Sequence, residues 1–456
     1  MTSLEALKWA LVLAGLCCVP LFAWLLGQRP QLVRWTVFAL GFLPFAGLRF
    51  ISLNLLSRET YRGDSRGLEV TLIDLAVCAL FLGLPKSTVP APYRRTRAFY
   101  LFAVLLSVAF AAVPLYSAFS VWKLLRMYLL LVVVARACLD AAVPPFLLRG
   151  MGLGVIYEAL LAGWQHYLGH QYQAAGNLNH PNSLTMACNL IAPIALALLL
   201  ARRRSGFAAT TLLAASVCVV FALSRGSLVM FALSMILTFG ISAARKLTGR
   251  KLKLAGFALL ALLVVCAKAL PTIVARFEKA PAASLDARIK FEHAAWLMLQ
   301  DHPMGIGINQ FSYVLEHGGY GARAGITADS PDTNGIVHNI YRLTAAELGL
   351  LGLVAYLLLM AAPLLLAVKG AAKSPHSNEG QVLMACAVAL VCSYLQGTLE
   401  WLSRQTSYSY LFFMMAGLVA ALDRHVSAQV IAARSRFLER RPPTRPALEP
   451  AAAGAL

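Results

Sequence analysis

Thirteen apolar stretches, each about as long as a helix that crosses hydrocarbon, recur along this chain and restrict it to one kind of architecture. They run approximately over 5-26, 32-52, 68-84, 98-118, 119-137, 146-166, 182-201, 207-223, 226-245, 252-270, 339-368, 381-402 and 406-422. The stretch 68-84 is short and the pair 98-118 and 119-137 is nearly continuous, so twelve spans are as compatible with the sequence as thirteen. Hydrophobic residues make up 59% and charged residues 13% of the chain, and mean hydropathy is +0.69, which excludes an ordinary soluble domain. No repeated strand alternation is present, which excludes a membrane β-barrel. The expected fold is all-α and polytopic, with about 12 transmembrane helices and one long, partly helical periplasmic loop.

The first apolar run is long, carries Glu5 and Lys8 near its start and leads into further spans, so it is expected to stay as a helix rather than be cleaved. The nine cysteines all fall in or at the ends of apolar runs, which suggests neither a disulfide framework nor a cysteine metal site. A net charge of +20 resembles a nucleic-acid signal until its distribution is considered. Basic clusters recur at alternate helix ends: Arg94, Arg95 and Arg97; Arg202 to Arg204; Arg245 to Lys253; Arg434 to Arg441. The positive-inside rule makes those ends cytoplasmic. Residues 271-337 hold five Lys/Arg against seven Asp/Glu and therefore fall outside, as do Ser224-Arg225-Gly226 and the turn Gly176 to Asn182. Ten spans before the loop would leave the N-terminus outside and nine would leave it inside. The reading adopted is twelve spans with both ends cytoplasmic. It divides the chain into 1-270 (N-terminal transmembrane helices), 271-337 (periplasmic loop with an amphipathic helix), 338-424 (C-terminal transmembrane helices) and 425-456 (basic cytoplasmic tail).

Each polar feature on the outer side has a structural and a chemical reading. His338 opens His338-Asn339-Ile340-Tyr341-Arg342 where an apolar helix resumes; it is either an interfacial residue or a proton acceptor suited to neutral pH. Arg225 occupies a tight outer turn, where it either reaches lipid phosphates or clamps an anion with its planar fork. Arg288 and Lys290 lie near the start of an amphipathic helix reaching Gln300, with Ile289, Trp296 and Leu299 on one face. Arg288 is spaced to pair with Glu292. Pro303, Gly305 and Gly307 stop that helix and let the backbone turn. Asn182 or Ser183 is placed to cap the helix that follows Pro181. Lys123 and Arg126 share a helical face, as membrane anchors or as an extension of a basic cavity. The connection 53-67, of mixed sign, is uninformative alone.

In this order the segments His180-Pro181-Asn182, Ser224-Arg225-Gly226, Arg288 with Trp296, Pro303-Met304-Gly305-Ile306-Gly307 with Phe311, and His338-Asn339-Ile340-Tyr341 with Glu347-Leu348-Gly349 resemble the O-antigen ligase and polymerase superfamily, the ligases most closely. The resemblance covers roughly residues 165-368. It implies a GT-C-like glycosyltransferase of the bacterial inner membrane whose site faces the periplasm. The donor would be a glycan on undecaprenyl diphosphate, and the acceptor a sugar hydroxyl of lipid A-core. It further implies His338 as the base, Arg225 and Arg288 as donor diphosphate ligands, and Asn339, Tyr341, Lys290, Asn182, Lys123 and Arg126 as supporting residues. Where the common pattern has asparagine this chain has His180, which is assigned no catalytic role. No Asp-x-Asp pair lies on the outer segments, so metal independence, no cofactor and inversion by single displacement are expected. An O-antigen polymerase or a protein-glycosylating (pilin) ligase would differ in acceptor. A lipid-linked glycan flippase is the alternative from another class, expected to show repeated halves and mid-membrane charges.

Overall fold

The computed structural model describes residues 3–201, 205–257, 274, 282–326, 335–401 and 404–439. Seven helices among them are long and apolar enough to cross a membrane, by length and composition. They are Pro114–Ala137 (α6), Pro144–Tyr167 (α7), Pro181–Ala201 (α8), Arg225–Arg245 (α10), Ile340–Lys373 (α14), Asn378–Gln396 (α15) and Thr406–Glu439 (α16). Ser3–Gln28 (α1), Leu72–Gly83 (α4) and Gly206–Ala222 (α9) carry shorter apolar segments. Pro30–Phe42 (α2), Leu48–Ile51 (α3) and Arg94–Val108 (α5) complete the N-terminal half. The expected span 252-270 lies largely outside the described residues, as do residues 327-334 of the loop and the end of the basic tail.

Burial sorts the helices by position. α6, α8, α15 and α16 are each about two-thirds or more buried along their apolar windows, whereas α10 is 22% buried, so the first four form the centre and α10 lies at the periphery. α8 packs against α9, α10 and α15, while α16 packs against α6 and α14. α8 and α15 are apolar and buried over most of their surface, the pattern expected of a helix surrounded by others or by lipid, whereas α6 also buries Lys123 and Arg126.

The break assigned between 118 and 119 falls at 109-113 instead, because Pro114 starts α6 at its first turn, where a missing N–H costs nothing. The stretch 68-84 is also not one helix. Its first residues form the strand Gly67–Thr71 (β2), paired antiparallel with Ser52–Ser57 (β1), and α4 follows after a Thr71–Asp74 capping box. β-Branched Val70 and Thr71 and the glycine at 67 give the local reason; the apolar average over the window conceals it.

Two glycine-bearing motifs interlock. α14 is interrupted at Gly349, with φ 68 and ψ −172. The turn that ends Ala282–Asp301 (α11) plugs into this break: Ile306 N donates to Ala346 O at 3.1 Å, and Gly307 N to Glu347 O at 2.9 Å. A Cβ on Gly349 would meet Pro303 O at 2.4 Å, and one on Gly305, at φ +87, would meet Glu347 O at 2.4 Å. Neither position accommodates a side chain. The long polar connection is thereby bolted to the start of α14, which fixes His338 at its entrance.

Candidate functional site

His338 stands before α14, where Asn339 is the N-cap: its Oδ1 accepts from Tyr341 N at 3.1 Å and Arg342 N at 3.2 Å. Ile340 N donates to Gly397 O at 3.0 Å, tying this helix start to the end of α15. Tyr341 turns inward and donates to Tyr394 O at 2.7 Å. Asn339 and Tyr341 therefore hold the helix that carries His338.

Glu400, just beyond α15, is the centre of the constellation. His338 Nδ1 lies 3.3 Å from Glu400 Oε2, and Arg288 Nη2 lies 3.5 Å from Glu400 Oε1. Asn182 Nδ2 donates to the same Oε1, and Arg288 Nη1 donates to Leu399 O at 3.3 Å. The carboxylate is 6% exposed, so its charge is satisfied almost wholly by these neighbours. With Nδ1 engaged by the carboxylate, Nε2 is the nitrogen left for proton exchange; among the described residues it makes no hydrogen bond.

Arg225 is the first residue of α10, in a turn held tightly between helices. Leu223 takes the left-handed conformation there, and Gln173 Nε2 donates to Ala222 O at 3.0 Å, satisfying an end carbonyl of α9. Ser227 Oγ accepts from Gln396 Nε2 at 2.8 Å and meets Thr185 Oγ1 at 2.6 Å, which pins the start of α10 to α8 and α15. The backbone at Gly226 runs so close that a Cβ would meet Leu399 Cδ1 at 3.1 Å. Arg225 and Arg288 thus border the same Leu399–Glu400 turn. The N-termini of α8, α10 and α14 converge around it, and their dipoles favour an anion.

The spaced pair Arg288–Glu292 does not form, because Glu292 binds Arg342 at 3.2 Å and Arg288 reaches Glu400. Lys290 pairs with Asp286 at 2.7 Å one turn away. α11 lays Phe291, Ala294, Ala295 and Met298 on the bundle and leaves Ile289 and Trp296 exposed on its other side. The cap on α8 also departs from expectation: His180 Nδ1 accepts from Asn182 N at 3.1 Å, and this frees the Asn182 side chain for Glu400. The His180 imidazole is held below the ordinary histidine range, chiefly by lost solvation; nearby Glu400 opposes this, while His338 and Arg288 add to it.

Lys123 and Arg126 face the hairpin and are buried. Lys123 Nζ binds Asp64 at 2.9 Å and donates to Arg404 O at 2.7 Å. Arg126 contacts Asp74 at 3.0 Å, Glu69 at 3.4 Å and the Tyr410 hydroxyl. Arg404 in turn meets Glu347 at 2.8 Å and Asp64 at 3.6 Å. Burial would raise the Asp64 carboxyl, but Lys123 and Arg404 hold it below the usual range. The charges of Lys123 and Arg126 are thus committed to holding β1, β2 and the α16 entrance together.

His338, His180, Asp64 and Arg404 open on one cavity of about 920 Å³, walled by the hairpin and by Trp9 and Trp401. Glu400 and Arg404 were not among the residues singled out from sequence, although a signal existed. They are the two charged residues of the stretch 381–422, where an ionisable residue marks either a pathway or a site. Among the described residues no three His, Cys, Asp or Glu side chains gather as metal ligands.

Apolar helices around a polar cavity lined by histidine, carboxylate and guanidinium define a polytopic membrane protein with a polar candidate site. The comparison with known families points the same way over part of the chain: residues 209–357 match the family model described as O-antigen ligase, which supports a place in the O-antigen ligase superfamily. Members of that superfamily are glycosyltransferase-like ligases and polymerases, acting in general on lipid-linked glycans. No curated protein matches the chain.

Proposed function

We propose that this protein is an O-antigen ligase of the bacterial inner membrane, which transfers a glycan from undecaprenyl diphosphate to a sugar hydroxyl of lipid A-core on the periplasmic side. The observation that carries this reading is Glu400, whose two oxygens bridge His338 and Arg288 beside Asn182, behind the cavity that His338 lines. A sugar hydroxyl is a poor nucleophile, and removal of its proton during attack accelerates transfer by about 10²–10⁴-fold. His338 Nε2 takes that proton while Glu400 orients the ring and stabilises the imidazolium. The acceptor oxygen bonds to the anomeric carbon as the bond from that carbon to the diphosphate breaks, and the electron pair leaves with undecaprenyl diphosphate. Arg225 and Arg288, with three helix N-termini, hold the departing charge. One displacement inverts the anomeric centre. The polyprenyl tail stays in the bilayer beside α10, the least buried of the seven long helices. The outward placement of the site follows from the distribution of basic residues. With Arg225 and Arg288 carrying the leaving charge, no divalent ion is required.

The test is reconstitution in proteoliposomes with polyprenyl-diphosphate glycan and, separately, lipid A-core, a glycan repeat and pilin. Transfer to lipid A-core supports the ligase. Transfer only to glycan or pilin indicates a polymerase or protein ligase, and donor movement without consumption indicates a flippase.

A further inference from the structure

The hairpin tip has a construction that donor binding and proton transfer do not use. Along Tyr61 to Gly67, alternate residues are held and released: Tyr61, Gly63, Ser65 and Gly67 are buried, while Arg62 and Arg66 are exposed. The held residues are clamped by the 308-312 turn. Asn309 Oδ1 accepts from Asp64 N at 2.9 Å, Asn309 Nδ2 donates to Ser65 O at 2.8 Å, and Ser312 Oγ donates to Arg62 O at 3.3 Å. A Cβ on Gly63 would meet Asn309 Oδ1 at 2.4 Å, so the backbone is fitted closely there. Beneath, the Asp64 carboxylate is anchored by Lys123 and Arg404.

This rigid base presents Arg62 and Arg66 to the cavity that His338 also lines. Of the acidic residues lining it, Asp64 and Glu69 are already paired with Lys123 and Arg126. Glu59 also lines the cavity, beside Arg62 and Arg66, whose side chains are exposed. Arg62 and Arg66 therefore stand as exposed guanidiniums on this wall, on a backbone held at a fixed position. Asn54, Asn179, Trp9 and Trp401 supply the amides and aromatic faces that suit sugar rings. Arg225 and Arg288 border the Leu399–Glu400 turn and do not line this cavity, which assigns the two pairs of arginines to different substrates.

We propose that Arg62 and Arg66 form a seat for an anionic substituent, phosphate or carboxylate, on the acceptor glycan, and so select the acceptor. This rests on the ligase reading above. Guanidinium forks suit both anions. Binding is measured by thermophoresis on the purified full-length protein without donor, using lipid A-core as isolated, after phosphatase treatment and after amidation of its carboxylates. Arg62→Gln/Arg66→Gln is expected to weaken binding of untreated core about 10–100-fold, and to leave polyprenyl diphosphate binding within about twofold. The treatment that lowers wild-type affinity to the level of the variant identifies the anion. The proposal is overturned if the double variant binds untreated core as wild type does, if neither treatment alters wild-type affinity, or if polyprenyl diphosphate binding falls instead. Arg62→Lys/Arg66→Lys, retaining charge, should recover part of the loss, which separates anion binding from misfolding. A wild-type protein that binds core yet passes no glycan to it would defeat the ligase reading while leaving the binding result intact, whereas transfer by His338→Ala would remove only that residue as the base.

Discussion

Glu400→Gln tests the constellation without changing its shape. The carboxylate lies 3.3 Å from His338 Nδ1, and at an effective dielectric of about 20 a charge at that distance stabilises an imidazolium by about 5 kcal/mol. His338 is 31% exposed and Arg288 draws on the same carboxylate at 3.5 Å, so roughly half of that, about 2–3 kcal/mol, is the appropriate expectation. At about 1.4 kcal/mol per tenfold, kcat should fall about 30- to 150-fold. The amide also brings an N–H toward the donors Arg288 and Asn182, so donor KM should rise as Arg288 loosens. Glu400→Asp, which keeps the charge but shortens the arm, should recover part of kcat. Steady-state transfer at saturating acceptor, with donor varied, reads both quantities, and elution profile and melting temperature establish that the variant is folded. A folded Glu400→Gln protein with kcat within threefold of wild type would refute the role assigned to this carboxylate.

Arg225→Ala and Arg288→Ala should each weaken donor use more than acceptor use, which separate titrations of the two substrates will show. Asp64→Asn should lower stability by about 3–5 kcal/mol, because Lys123 and Arg404 lose a buried counter-charge; thermal unfolding in detergent measures it. Since the Asp64 carboxyl is held below its ordinary 3.8, its stabilisation is complete above that pH and is lost as pH falls through the folded value. The wild type should therefore show an acid-dependent loss below about pH 4 that the Asn variant lacks. Chelator should leave transfer unchanged, and a loss restored by Mg²⁺ would contradict charge stabilisation by arginines alone.

The apolar helices were legible in the sequence because hydrocarbon length imposes a length on them, and α8, α10 and α14 begin close to where the apolar runs do. The hairpin was not legible. Its register depends on Asn309 and Asp64, which are remote in sequence, and its strands are shorter than the window over which hydropathy is averaged. His338, Arg288 and Asn182 could be singled out individually, but their meeting point could not, since Glu400 was absorbed into an apparent span from 381 to 402. The glycines of the 303-307 and 347-349 motifs could be read as turns; that each is shaped to receive the other is visible only once Gly349 is seen interrupting α14.

The most direct test of the account is single-turnover transfer by His338→Ala in proteoliposomes preloaded with polyprenyl-diphosphate glycan and supplied with lipid A-core. The account predicts that the folded variant retains donor and acceptor binding while glycan transfer falls by at least about 10²-fold. Transfer at a rate near wild type would contradict it.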